Sequence, residues 1–168
     1  GEDVKYFGGS SEAAEKRSRV RVRVMSHALK DLIDRSSNVI IAGHKMADFD
    51  CIGSAIGLAR VAQALNKEAY IIATTGGIEE KLKGAMELYK EKLKSEVRLV
   101  SESEALNHLT GNTLVIMTDH HSLRQSNGAR VLEGAKKIAI VDHHRRSTDM
   151  GVQPTLVYIE AGASSTCE

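Results

Sequence analysis

Proline occurs once in 168 residues, tryptophan not at all and cysteine twice, and aromatic residues make up 4%. With so little proline and plentiful alanine, the chain reads as a helix-rich α/β protein. Cys51 and Cys167 form no CxxC pair and no disulfide framework, which excludes a stapled secreted scaffold and fits a reducing cytoplasm. No apolar run approaches the ~20 residues of a membrane-crossing helix, and no signal peptide is visible. Charge of one sign is missing too. Lysine and arginine total 23 against 22 aspartates and glutamates, a formal net charge of +1. That balance argues against a duplex nucleic-acid partner and against direct membrane contact. The length suits one compact domain with a proper core. The first and last residues both read as cut from something longer.

What the chain does contain is an alternation of short apolar runs and helical patterns. Between Ser10 and Asp34 two periods compete. Arg17, Arg19, Arg21 and Arg23 alternate with valines as a strand would, but Val20, Val24, Ala28 and Leu32 form a helical stripe beside Met25, Leu29 and Ile33. The helical period explains more residues, so a helix is expected, with Gly8-Gly9 as a turn before it. Strands are expected at 39–42, 69–73, 97–100, 113–118, 137–141 and 156–159. Helices are expected at 51–66, 79–94, 102–109 and 128–136. Asp50 stands where a cap of the 51–66 helix would stand, and Gly53 and Gly57 inside it suggest close packing. Ala163–Thr166 reads as a helix start able to hold an anion. The alternation implies an α/β fold, a parallel sheet of about five strands flanked by helices, preceded by a long N-terminal connecting helix.

Three of the buried-type strands end in clusters of acid and imidazole. Val39–Ala42 is followed by His44, Asp48 and Asp50. Thr113–Thr118 is followed by Asp119, His120 and His121, and Lys137–Val141 by Asp142, His143 and His144. In a parallel sheet these ends share one edge, where such sheets bind ligands, so the clusters should converge. A lone Asp-His-His could merely cap backbone groups; three clusters after three strands argue for a metal site. The thiols lack zinc-site spacing, whereas carboxylates mixed with a few imidazoles suit Mn2+, with Mg2+, Co2+ or Fe2+ as competitors. Several carboxylates in one site repel unless cations neutralise them, which favours two ions, the usual arrangement for hydrolysing phosphate esters.

His44-x-x-x-Asp48-x-Asp50, then Asp119, then Asp142-His143-His144 resembles the DHH phosphoesterases, which include RecJ-type exonucleases, nanoRNA phosphodiesterases and family II inorganic pyrophosphatases. Phe7-Gly8-Gly9-Ser10, Glu15-Lys16-Arg17-Ser18, Gly43-His44-Lys45, Arg145-Arg146, Tyr158-Ile159-Glu160 and Ala163-Ser164-Ser165-Thr166 narrow the resemblance to the GdpP-type cyclic-di-AMP phosphodiesterases. By that resemblance residues 1–9 close an upstream GGDEF-like domain, residues 10–36 are a connecting helix, and residues 37–168 are a DHH domain. The family's last metal-ligating aspartate and its DHHA1 substrate-binding domain fall beyond Glu168. The parent protein would be anchored in the cell membrane with this segment on the cytoplasmic side, and a homodimer is compatible with it.

Carried over by position, the resemblance implies that His44 and Asp48 hold one manganese ion and Asp50 the other. Asp119 would bridge them, and His143 would bind the second. Asp142 would orient His143, and His144 would contact the scissile phosphate. His121 and Arg145 are either substrate contacts or structural. Ser164 and Ser165 hold a phosphate or, the favoured reading, cap a helix. Two departures stand out: Met46-Ala47 replaces a usual Asn-Pro, and His120 occupies a position that is usually not histidine. The implied activity is manganese-dependent hydrolysis of the cyclic dinucleotide cyclic-di-AMP to 5′-pApA. The rivals are another DHH hydrolase, acting on nanoRNA, 3′-phosphoadenosine 5′-phosphate or pyrophosphate, and a non-catalytic nucleotide sensor.

Overall fold

A computed structural model describes residues 6–73, 98–145 and 149–167, with side chains described from Arg19 onward. A long helix, α1 (Tyr6–Asp34), leads into β1 (Asn38–Ala42), α2 (Phe49–Ala64) and β2 (Glu68–Ile72). Then come β3 (Arg98–Val100), α3 (Glu102–His108), β4 (Leu114–Thr118), a 3-10 turn at Leu123–Gln125, α4 (Ala129–Gly134), β5 (Lys137–Asp142) and β6 (Leu156–Ile159). The helix expected at 79–94 lies outside the described residues. Among them, no helix is long and apolar enough to cross a membrane.

The strands form one sheet in the order β3-β2-β1-β4-β5-β6, and every neighbouring pair is parallel. Among the described residues the sheet holds six strands, in keeping with the expected parallel α/β sheet of about five, and its last strand β6 pairs along β5 from Ala139↔Leu156 to Asp142↔Ile159. The order reverses between β1 and β4. From β1 the chain winds outward to β2 and β3; from β4 it winds the other way. A crevice opens at the carboxyl ends of strands at such a switch point.

Both faces of the sheet are covered, which is why the strands read as unbroken apolar runs. Val39 and Ile41 pack with Leu114, Ile116 and Ala139 against Ala55, Ala59 and Ala62 of α2 and Ile33 of α1. Ile40 and Ala42 pack with Val115, Met117 and Ile140 on the other face against Ala105 of α3 and Val131 and Leu132 of α4. The larger of these side chains each contribute roughly 1.5–3 kcal/mol by leaving water. This core fixes the register that aligns the strand ends.

Four local expectations change. Helix α1 begins at Tyr6 and runs through Gly8-Gly9, since each added residue gains a backbone hydrogen bond against a glycine cost of about 1 kcal/mol. Its apolar stripe is buried only near the C-terminus. Ile33 is fully buried, while Val20 and Val24, ahead of the part that reaches the core, are 59% exposed. The N-cap of α2 is Asp48, not Asp50: Asp48 has extended backbone and accepts from the Cys51 N–H at 3.0 Å. Gly57 faces open space, whereas a Cβ on Gly53 would lie 2.9 Å from the Cys167 sulfur.

A candidate metal centre at the switch point

Parallel register sets Ala42 beside Met117 and Thr118 beside Val141, so β1, β4 and β5 end at one level. The three acid–imidazole clusters start there and converge. Asp119 lies at their meeting point, with φ of +60°, in the left-handed region that a short polar side chain tolerates best. Its N–H donates to the Val141 carbonyl at 3.0 Å, which holds this backbone against β5. Its carboxylate is 1% exposed and splits its two oxygens. Oδ2 meets His44 Nε2 at 3.1 Å; Oδ1 meets His143 Nε2 at 3.3 Å.

Around that carboxylate stand two overlapping groups. His44 also faces Asp48 Oδ1 at 4.0 Å, and His143 faces Asp50 Oδ2 at 3.3 Å. Asp142 supports the second group. It is buried, and its Oδ1 accepts from the His143 and His144 backbone N–H groups and lies 2.7 Å from His144 Nδ1. Its Oδ2 meets His121 Nδ1 at 2.5 Å. His144 Nδ1 is also 3.9 Å from Asp119 Oδ1.

The electrostatics follow these partners. The hydrogen bond to Asp119 raises the His44 pKa above its usual value, against the opposing effect of burial. Burial works to raise the Asp142 pKa, yet the hydrogen bonds from His121 and His144 hold it below the ordinary carboxylate range. Asp50 behaves the same way: burial opposes its charge, but N–H donors from Thr166 and Cys167 hold its pKa down. Burial pushes the Cys51 thiol up to about 12.

A cavity of about 780 Å³ opens on this edge, lined by His44, Asp119, His120, His121, Asp142 and His144, with Lys45, Arg124 and Arg145 adding cationic walls. It is large enough for a nucleotide-sized ligand. Among the described residues, nearby donor atoms form two groups of three, His44–Cys51–Asp119 and Asp119–His143–His144, each with its atoms within 4.8 Å of one another. Two imidazole–carboxylate groups that share one carboxylate fit a pair of divalent cations, which would offset the repulsion among Asp48, Asp50 and Asp119.

Most residues expected in the site are thus brought together: His44, Asp48, Asp50, Asp119, Asp142, His143 and His144. His121 sits against Asp142, and Arg145 lies exposed on the cavity wall. Ser164 and Ser165 are not part of that wall. In the turn at 166–167 the backbone N–H groups of Thr166 and Cys167 both donate to Asp50. Thr166 Oγ1 donates to Asp119 Oδ1 at 2.9 Å, and the Thr166 N–H donates to Asp50 Oδ2 at 2.8 Å. Sequence reasoning singled out this segment but missed Thr166 as the residue that touches the acids. It also missed that His120 turns back: its Nδ1 lies 2.8 Å from the Thr118 carbonyl, and burial pushes its pKa down to about 4.

Comparison with known proteins agrees with this fold. Residues 38–168 match the model of the DHH family, N-terminal domain. Cyclic-di-AMP phosphodiesterase GdpP of Bacillus subtilis (strain 168) is 41% identical over 168 residues, covering 98% of this chain and 25% of that protein. Cyclic-di-AMP phosphodiesterase PdeA of Listeria monocytogenes serotype 1/2a (strain 10403S) is 37% identical over 165 residues, with the same coverage. The chain therefore spans a quarter of the length of these relatives. The crystal structure of an exopolyphosphatase-related protein from Bacteroides fragilis superposes with a TM-score of 0.64 at 19% identity, covering 83% of this chain and 41% of that one, a likeness of fold alone. With the family model matched from β1 through the whole acid–imidazole edge, the chain belongs to the DHH family.

Proposed function

We propose that this chain carries the catalytic centre of a metal-dependent phosphodiesterase that opens cyclic-di-AMP to the linear dinucleotide 5′-pApA. The observation that carries the reading is the buried Asp119 carboxylate, divided between His44 and His143. The choice of substrate is supported by the two relatives named as cyclic-di-AMP phosphodiesterases, whose similarity runs along 98% of the chain.

His44, Asp48 and Asp119 would hold one divalent cation, and Asp50, Asp119 and His143 the other. When bound, such a pair supplies an activated water and withdraws charge from phosphoryl oxygens. Manganese suits this mixture of carboxylate and imidazole, with magnesium, cobalt and ferrous iron as competitors. The chain's own residues do the orienting. Asp142 fixes the His143 backbone and accepts from His144 Nδ1, so that a His144 ring carrying both protons can donate from Nε2 to a phosphoryl oxygen, where the hydrogen bond strengthens as charge develops. His121 acts through Asp142. Arg145, with Lys45 and Arg124, draws the anionic substrate to the cavity. In the same reading the intact protein is membrane-anchored through upstream segments, and a DHHA1 domain in cis completes the nucleotide pocket.

Product analysis tests this. The intact protein, Mn2+ and cyclic-di-AMP are expected to yield 5′-pApA, and Asp119→Asn to abolish it. Preferential hydrolysis of pyrophosphate or 3′-phosphoadenosine 5′-phosphate would move the assignment to another DHH hydrolase. Tight nucleotide binding without product would make the protein a sensor.

A further inference from the structure

Cys51 lies in the first turn of α2 and is 2% exposed. Its sulfur, a His44 ring nitrogen and an Asp119 carboxylate oxygen all lie within 4.8 Å of one another. Gly43 makes the room: a Cβ there would lie 2.6 Å from the sulfur, a distance that carbon and sulfur do not tolerate. The contact of the sulfur to the Thr118 carbonyl is long, 4.0 Å, and so costs little to give up. One nitrogen, one carboxylate oxygen and one sulfur form a donor set that borderline-soft ions such as zinc and cobalt take readily. Manganese and magnesium prefer oxygen.

We propose that His44, Cys51 and Asp119 form a binding position for a thiophilic divalent cation of the zinc class, overlapping the position at which the hydrolytic centre takes a harder ion. The proposal rests on the reading of His44 and Asp119 as metal ligands, and adds a sulfur that the resemblance does not supply. The spacing of the thiols in the chain disfavours zinc; their placement in the fold brings one of them to His44 and Asp119. As the cation binds, the thiol proton passes to solvent and the thiolate becomes the ligand. The consequence is selective: zinc displaces manganese from this chain more effectively than ordinary preference for nitrogen and oxygen donors requires.

Cobalt(II) is the probe, because a cobalt–thiolate bond gives an intense near-ultraviolet charge-transfer band that nitrogen and oxygen ligands do not. One equivalent of Co2+ added to the metal-free intact protein is expected to produce that band. Cys51→Ala and the closer-sized Cys51→Ser should each remove it, and Cys167→Ser should retain it. Zinc titrated into manganese-loaded protein, followed by the electron paramagnetic resonance of released Mn2+, should act at about tenfold lower concentration on the unsubstituted protein than on Cys51→Ala. A band absent from the unsubstituted protein, or surviving both Cys51 substitutions, overturns the proposal and leaves Cys51 a buried packing residue. Manganese uptake without the sulfur band sinks the thiol ligand alone. Uptake of neither ion sinks the hydrolytic reading with it.

Discussion

The two Asp-His-His triplets follow neighbouring strands in register, yet they divide the same three residue types in opposite ways. In residues 119–121 the aspartate faces the site, and its histidines line the cavity with Nδ1 tied back, His120 to the Thr118 carbonyl and His121 to Asp142. In residues 142–144 the aspartate is the buried support, and the histidines reach forward, His143 to Asp50 and Asp119 and His144 toward Asp119. The backbone explains the exchange. Asp119 leaves β4 at positive φ and its carboxylate meets the facing imidazoles; Asp142 ends β5 and accepts from the N–H groups of the two residues that follow it. The lesson is that a motif's letters do not assign its roles until the turn that carries them is known.

The comparison is broken most severely at its two aspartates. Asp119→Asn removes the shared carboxylate charge and is expected to cost roughly a thousandfold or more in kcat/KM for cyclic-di-AMP. Asp142→Asn weakens the support of the forward histidines and of His121 and should cost roughly 10–100-fold. Steady-state kinetics on the intact protein decide it, and equal losses would mean that the division of roles is wrong. The histidines should show the mirror image. His143→Ala is expected to lower the manganese stoichiometry, measured by calorimetry, from two to one. His121→Ala should keep both ions while destabilising the fold by about 1–3 kcal/mol, because Asp142 loses one of its buried partners.

How much of this was open to reading in the sequence depends on the kind of interaction. Val39–Ala42 and Leu114–Thr118 announce buried parallel strands by composition, and acids and imidazoles just past such runs announce a converging edge. Orientation was not open in the same way. Asp48 and Asp50 are both acids near a helix start, and only the backbone shows Asp48 as the cap, which leaves Asp50 to meet His143. Val20 and Val24 carry the right period for a buried stripe, but period does not say how far along a helix the core extends. Thr166 was hidden because it meets Asp50 and Asp119 across more than 45 intervening residues, and no local pattern marks such a contact.

Thr166 links the forward acid of the first triplet to the acid that faces His143. Thr166→Val deletes the hydroxyl on Asp119 but keeps the backbone donor on Asp50. Losing one hydrogen bond of this sort is worth about 1 kcal/mol, so a loss of about fivefold in kcat/KM is expected. A larger loss, with manganese affinity unchanged, would raise Thr166 to a direct contact with substrate.

The smallest effect belongs to His120. Because the Thr118 carbonyl can only accept, His120 Nδ1 must carry the proton, and Nε2 is left buried without a partner among the described residues. An imidazole held this way steadies the turn after β4 and has no donor left for the site. His120→Gln should therefore cost about 1 kcal/mol in urea unfolding, from the weakened bond to Thr118, and leave kcat/KM close to that of the unsubstituted protein. If kcat/KM fell tenfold while stability held, the buried nitrogen would be serving the substrate, and the first triplet would contribute an imidazole after all.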